Sequence, residues 1–246
     1  MGAEAPDGVR ADSRAVVFAG GDAPPPHALD DLTPDVRVVA ADSGLVHALA
    51  AGLHVDLLVG DLDSVDPRAV IEALDAGTEV QRHPSAKDAT DLELALDVVL
   101  ARGVTDVLVV GIHGGRADHL LANALLLAAP RYAAMRVRAH LGNADVLVVR
   151  GGDAANPAPT TLPGPAGRLC TLLPLGGPAA GVVTRGLRWP LTDETLAPGT
   201  SRGVSNEIEE PPASVALRDG VLLAVLPDLS PGTAPDIAPH LSPQES

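Results

Sequence analysis

Between residues 15 and 149 the chain repeats one device: a short run of valine, leucine and alanine, stopped by glycine or aspartate, then a stretch of helical periodicity. Runs this short and this uniformly aliphatic read as strands covered on both faces. A parallel pair of strands needs a crossover, so strands alternating with helices through short connections imply a parallel α/β sheet. Strand patterns fall at 15–21, 36–41, 56–59, 79–82, 106–110, 137–140 and 145–149. Helical patterns fall at 45–51, 68–76, 92–101 and in an apolar stretch ending at 129. Phe18, Tyr132 and Trp189 are the only aromatics, so the core must be built from Val, Leu and Ala, and Trp189 is the residue to watch.

Charge and cysteine content narrow the function. With 17 basic against 32 acidic residues the formal charge is −15, which argues against nucleic acid or an anionic membrane as a partner. Any phosphate ligand would need a metal and local Arg or Lys. The single cysteine, Cys170, allows no intrachain disulfide, no Cys-rich zinc site and no CxxC redox motif. The acidic N-terminus has no apolar h-region and no apolar run reaches eighteen residues, so the expectation is a soluble cytoplasmic protein.

The segment Val55-Asp-Leu-Leu-Val-Gly-Asp-Leu-Asp-Ser-Val-Asp-Pro67 packs a buried strand, a glycine break and a cluster of carboxylates into thirteen residues. Asp61 and Asp63 stand just past the strand's carboxyl end, where open parallel sheets bind ligands. Alternate residues of extended chain point the same way, so the two carboxylates can converge on one hard cation such as Mg²⁺. An ordinary acidic turn is the other reading. Acids recur at strand ends or in the loops that follow: Asp42, Asp61 with Asp63, Asp88 with Asp91, and Asp118. Surface acids scattered at random would not collect there. Asp91 has a plain alternative, since either Thr90 or Asp91 is a natural N-cap for the helix that follows.

Basic and glycine-rich features join them. Lys87 is a candidate phosphate contact, and Gly114-Gly-Arg-Ala-Asp-His119 is a glycine turn entering a helix, where backbone N–H groups and Arg116 favour an anion. His119 and Asn123 are four apart on one helical face, turned either to that ligand or into the core. Gly199-Thr-Ser-Arg-Gly203 spells a nucleophile elbow but lacks the required strand before and helix after. P-loop, dinucleotide-binding and HExxH signatures are absent.

Residues 151–167 shift to Gly, Pro, Ala and Thr and read as a linker between an α/β domain at 15–150 and a small all-β domain at 168–227. The Pro-rich stretch 228–246 reads as a disordered tail.

Taken together, these segments resemble the thiamine pyrophosphokinase (thiamine diphosphokinase) family over most of residues 15–226. Asp42-Ser-Gly44 is similar to its D-G-G, Gly60-Asp-Leu-Asp-Ser64 to G-D-x-D-S, and Lys87-Asp-Ala-Thr-Asp91 to K-D-x-T-D. Gly114-Gly-Arg-Ala-Asp-His119 with Asn123 is similar to G-G-R-x-D-H-x-x-x-N, and Gly186-Leu-Arg-Trp-Pro-Leu191 followed by Ser205-Asn-Glu207 to its C-terminal signatures. The resemblance implies a Rossmann-like catalytic domain, a C-terminal β-sandwich, and a homodimer with sites shared between subunits. It implies ATP and Mg²⁺, with the thiamine hydroxyl attacking the β-phosphorus to give thiamine diphosphate and AMP. On the same ground Asp61, Asp63 and Asp91 would hold Mg²⁺ and organise the phosphates, with Asp42 in support. Lys87, Thr90 and Arg116 would contact ATP, Asp118 would orient or deprotonate the thiamine hydroxyl, and Ser205 and Asn206 would bind thiamine. The chain departs from the pattern at Ser43, Leu62 and Val55. A pyrophosphokinase for another hydroxymethyl heterocycle, such as a pterin, and a non-catalytic thiamine- or nucleotide-binding module are the competing readings.

Overall fold

A computed structural model of the chain describes residues 13–152 and 158–228. All but the first residue of the Pro-rich tail lie outside the described residues, as do five positions of the stretch read as a linker.

The N-terminal half alternates as its sequence pattern requires. Strand β1 (Arg14–Phe18) leads through a 3₁₀ turn (Pro26–Leu29) to β2 (Arg37–Ala41), helix α1 (Gly44–Ala50), β3 (Leu57–Gly60), α2 (Pro67–Asp75) and β4 (Glu79–Arg82). Then follow α3 (Asp91–Ala101), β5 (Asp106–Val110), α4 (Ala117–Leu127) and β6 (Arg136–Leu141). Six of these strands form a parallel sheet in the order β4-β3-β2-β1-β5-β6. The chain runs outward from β1 to β4 and then returns to the other side of β1 as β5. The sheet order therefore reverses between β1 and β5, the place where α/β sheets open a ligand crevice.

Both faces of this sheet are covered. Val16 and Phe18 of β1 pack with Leu45 and Ala48 of α1 and Val70 and Ala73 of α2 on one face. Val17, with Val39 and Val59, packs against Leu92, Leu96 and Val99 of α3 on the other. Phe18 and Tyr132 are fully buried, so two of the three aromatics serve the core, while Trp189 is 49% exposed.

Strand β7 (Ala144–Arg150) turns back antiparallel to β6 across Gly142 and Asn143, and among the described residues every regular element after it is a strand. This half comprises β8 (Thr160–Leu162), β9 (Leu169–Arg185), β10 (Glu194–Leu196), β11 (Asn206–Glu207), β12 (Ala213–Ala216) and β13 (Asp219–Pro227). All its pairings are antiparallel; Leu172, Val182, Leu196, Ile208 and Val215 belong to a cluster of their own, while Leu223 of β13 joins a core of the first half. Two details differ from the sequence reading. Thr160–Leu162, inside the presumed linker, is a strand paired with β12. And β13 pairs with β7 along its length, so hydrogen bonding runs without a break from the parallel sheet into the antiparallel one.

Candidate functional site

At the carboxyl ends of β1, β2, β3 and β5 lies a cavity of about 840 Å³, within the ordinary range for small-molecule sites. Its floor is tied together by backbone. Gly21 N–H donates to Gly111 O (2.7 Å) and Asp22 N–H to His113 O (2.6 Å), which ties the loop after β1 to the loop after β5. His47 of α1 holds the glycine pair through a contact of Nε2 with Gly21 O at 2.7 Å. Close approach excludes a side chain at Gly44 and crowds one at Gly60. A Cβ on Gly44 would lie 2.0 Å from Phe18 O, and one on Gly60 would lie 3.1 Å from Asp91 Oδ1. Gly60 also carries φ +151, in the region that favours glycine.

Three carboxylates converge in this cavity. Asp42, at the end of β2, is in the left-handed region (φ 49), and its backbone N–H donates to Val59 O at 2.8 Å, which fixes it beside β3. Asp61 follows β3 after Gly60, and Asp91 is the first residue of α3. One oxygen from each of Asp42, Asp61 and Asp91 lies within 4.8 Å of the others. Lys87 Nζ joins them at 3.1 Å from Asp61 Oδ2 and 2.8 Å from Asp91 Oδ1.

The electrostatics follow from the crowding. Burial pushes the Asp42 carboxyl above its usual range, and the charges of Asp91, Asp61 and Asp63 push the same way. The hydrogen bond from Lys87 holds Asp61 down at about 2. Asp42 Oδ1 is buried with no hydrogen-bond partner. An oxygen-only donor set with an orphaned carboxylate oxygen and a raised Asp42 suits a hard divalent cation, so the residues present fit Mg²⁺.

The other residues singled out from sequence divide into those that line the cavity and those that do not. Asp63 lies on the wall rather than in the three-oxygen cluster, accepting from Ser64 Oγ (3.3 Å) and Ser85 Oγ (3.5 Å). Thr90 is the N-cap of α3, its Oγ1 accepting from Glu93 N–H at 3.2 Å, so Asp91 is not needed as a cap and turns to the carboxylates. His119 and Asn123 line the cavity and are not in the core. Arg116 also lines it, held in a two-pronged pair with Asp118 at 2.5 and 3.1 Å. That pair keeps Asp118 at about 2, well below what a general base near neutrality needs. Ser85 and the glycine pair Gly20 and Gly21 also line the cavity. Ser85 was missed, although its position in the loop leading to Lys87 was a signal.

Ser205 and Asn206 lie in the β-rich half and do not line this cavity. Asn206 is buried, its Oδ1 accepting from Trp189 N–H at 3.1 Å and its Nδ2 donating to Trp189 O at 2.7 Å. It braces the backbone of the exposed tryptophan and keeps little of its amide for a ligand. Ser205, exposed and at φ 56, is fixed by its N–H to Thr171 Oγ1 at 3.0 Å. Arg188 rests 5.2 Å from the centre of the Trp189 ring. Cys170 is fully buried and its thiol is pushed up to about 12 by burial, which excludes it as a nucleophile.

The chain is similar to known proteins over both halves. Residues 32–139 match the family described as "Thiamin pyrophosphokinase, catalytic domain", and residues 160–222 match "Thiamin pyrophosphokinase, vitamin B1 binding domain". The chain is 26% identical over 220 residues to the thiamine pyrophosphokinase of Bacillus subtilis (strain 168), covering 85% of this chain and 96% of the relative. It is 28% identical over 162 residues to thiamine pyrophosphokinase 1 of Oryza sativa subsp. japonica, covering 63% of this chain and 60% of that one. Among solved structures, the Bacillus subtilis enzyme superposes with a TM-score of 0.74 at 24% identity, covering 88% of this chain and 100% of that one. The Geobacillus thermodenitrificans thiamin pyrophosphokinase gives 0.73 at 25% identity, covering 88% and 98%. The two family matches fall on the two halves of the fold, in order, and together span well over half of the sequence: this chain belongs to the thiamine pyrophosphokinase family.

Proposed function

We propose that this protein transfers the pyrophosphoryl group of ATP to the hydroxyl of thiamine, giving thiamine diphosphate and AMP. The observation that carries the reading is the convergence of Asp42, Asp61 and Asp91 with Lys87 in one cavity at the sheet's switch point, in a chain of this family. Mg²⁺, when bound, would neutralise phosphate charge there and hold the triphosphate in line for attack. Asp42, Asp61 and Asp91 are the residues that would hold it, with Asp63 beside Asp61 on the cavity wall. Lys87, freed from the carboxylates by the cation, and Arg116 would take phosphate oxygens. The backbone around Gly20–Gly21 and Gly114–Gly115 permits close approach of the nucleotide. Asp118 keeps Arg116 aimed, and alignment with charge neutralisation carries the transfer without a strong base.

The thiamine side of the site requires a second copy of the chain. We read the parallel half as Rossmann-like and the antiparallel half as a β-sandwich, with thiamine bound on the latter near Trp189 and Ser205. Helix α4 supports a dimer with shared sites: it is apolar, yet only Leu127 is buried, while Leu121 and Leu125 are 66% and 59% exposed on one face. No described helix is long and apolar enough to cross a membrane, and we assign the protein to the cytoplasm.

A substrate panel tests the reading. AMP release coupled to detection should appear with thiamine, ATP and Mg²⁺ together, and should be absent when a hydroxymethylpterin replaces thiamine. Release with the pterin alone, or with neither, would refute the substrate assignment.

A further inference from the structure

A second cavity, of about 500 Å³, opens where the 3₁₀ turn after β1, the β6–β7 hairpin and residues 165–169 meet. His27, His140, Asp145 and Arg168 lie on its wall, and none of them lines the carboxylate cavity. His140, near the end of β6, has a side chain only 4% exposed, with Nδ1 3.1 Å from Asp145 Oδ1. An ionised carboxylate can only accept, so Nδ1 is the donor, and in the neutral ring Nε2 then keeps its lone pair. The other oxygen of Asp145 accepts from Arg168 Nη2 at 2.8 Å, and Arg168 also donates to Leu226 O and Pro163 O.

Nε2 of His140 is buried and has no hydrogen-bond partner. Buried polar atoms are nearly always paired, so this one points to a ligand. The ring next to it is another imidazole: His27, exposed, with its centre 5.2 Å from that of His140 and its plane at 82°. A Zn–N bond of about 2.0–2.1 Å puts each imidazole centre roughly 3.2 Å from the ion. Two such rings at a tetrahedral angle then stand roughly 5.2 Å apart. A histidine whose far N–H is held by a carboxylate is also the usual arrangement around a bound metal.

We propose that His140 and His27 form a site for a divalent transition-metal ion of the zinc class, with Asp145 and Arg168 orienting His140 behind it. Imidazole donors select Zn²⁺, Co²⁺ or Ni²⁺ over Mg²⁺, so this site and the oxygen-only cluster discriminate between cations. Water from the cavity completes the coordination.

The test is a titration of the full chain with Co²⁺ while excess Mg²⁺ occupies the carboxylates. The expected result is one equivalent of Co²⁺ giving a visible absorption band distinct from that of the aqueous ion, which Zn²⁺ abolishes. His140→Ala and His27→Ala should each remove the band, and Asp145→Asn should weaken binding by about tenfold to a hundredfold. His27→Ala should leave Mg²⁺-supported turnover unchanged, and because its ring is exposed it carries the test if His140→Ala does not fold. Absence of the band, or its survival in His27→Ala, would overturn the proposal.

Discussion

Asn206 shows how a single side chain links the two halves of the account. Its amide spends both ends on the backbone of Trp189 and also accepts from Glu207 N–H at 2.9 Å. Asn206→Ala therefore leaves buried donors and an acceptor unpaired and should cost about 1–3 kcal/mol, read as a lower urea midpoint. The same variant should shift the emission of the sole tryptophan and raise the KM for thiamine more than it lowers kcat. Ser205→Ala, exposed, should leave the midpoint unchanged. Acid stability follows from Asp61 and Asp118, each held at about 2 against an ordinary 3.8. A carboxyl depressed in the folded state stabilises above the unfolded pKa, and that contribution is lost as pH falls from about 4 through 2. Lys87→Met should flatten this acid arm in urea midpoints taken from pH 5 to 2. Arg116→Gln should do so less, because its pair with Asp118 is exposed and screened. The carboxylates themselves were legible in the sequence because aspartate at a strand end is a local signal. The bracing role of Asn206 was not, since its partner is 17 residues away and bonded through backbone.

At the scale of elements, the strands and helices of the first half were legible to within a few residues at their ends. Several carry their own local stop or start: α1 gives way to Gly52, and α3 begins at the cap Thr90. The short strand β8 was hidden because its three residues acquire meaning only from pairing with β12, some fifty positions on. Helix α4 was read correctly as apolar, but periodicity cannot say which apolar face meets a partner. Leu121 and Leu125 stand exposed on it. Leu121→Glu with Leu125→Glu should leave the far-UV spectrum intact and turn a dimer into a monomer in sedimentation velocity. Activity should fall with the dimer fraction, whereas an unchanged sedimentation coefficient would remove α4 from the interface.

At the scale of the molecule, what matters is where the sheet reverses. Strands β1, β2, β3 and β5 bring Gly21, Asp42, Asp61 and Gly114 to one edge from positions spread over ninety residues of chain, and α3 adds Asp91. The parallel order could be anticipated from alternating strands and helices. The continuation of hydrogen bonding from β7 into β13 could not, because an antiparallel pairing between residues as far apart as Ala144 and Pro227 leaves no local trace. The central claim is that this edge transfers an intact pyrophosphoryl group under the control of Asp42, Asp61 and Asp91. Phosphorus NMR of a reaction with equimolar thiamine and ATP tests it most directly, run on the wild type and on Asp61→Asn. The wild type should yield AMP and thiamine diphosphate in equal amounts. Asp61→Asn, folded by circular dichroism, should lose at least about a hundredfold in rate, because a charged ligand is gone from the cluster. Formation of ADP with thiamine monophosphate, or near-normal turnover by Asp61→Asn at saturating Mg²⁺, would contradict the account.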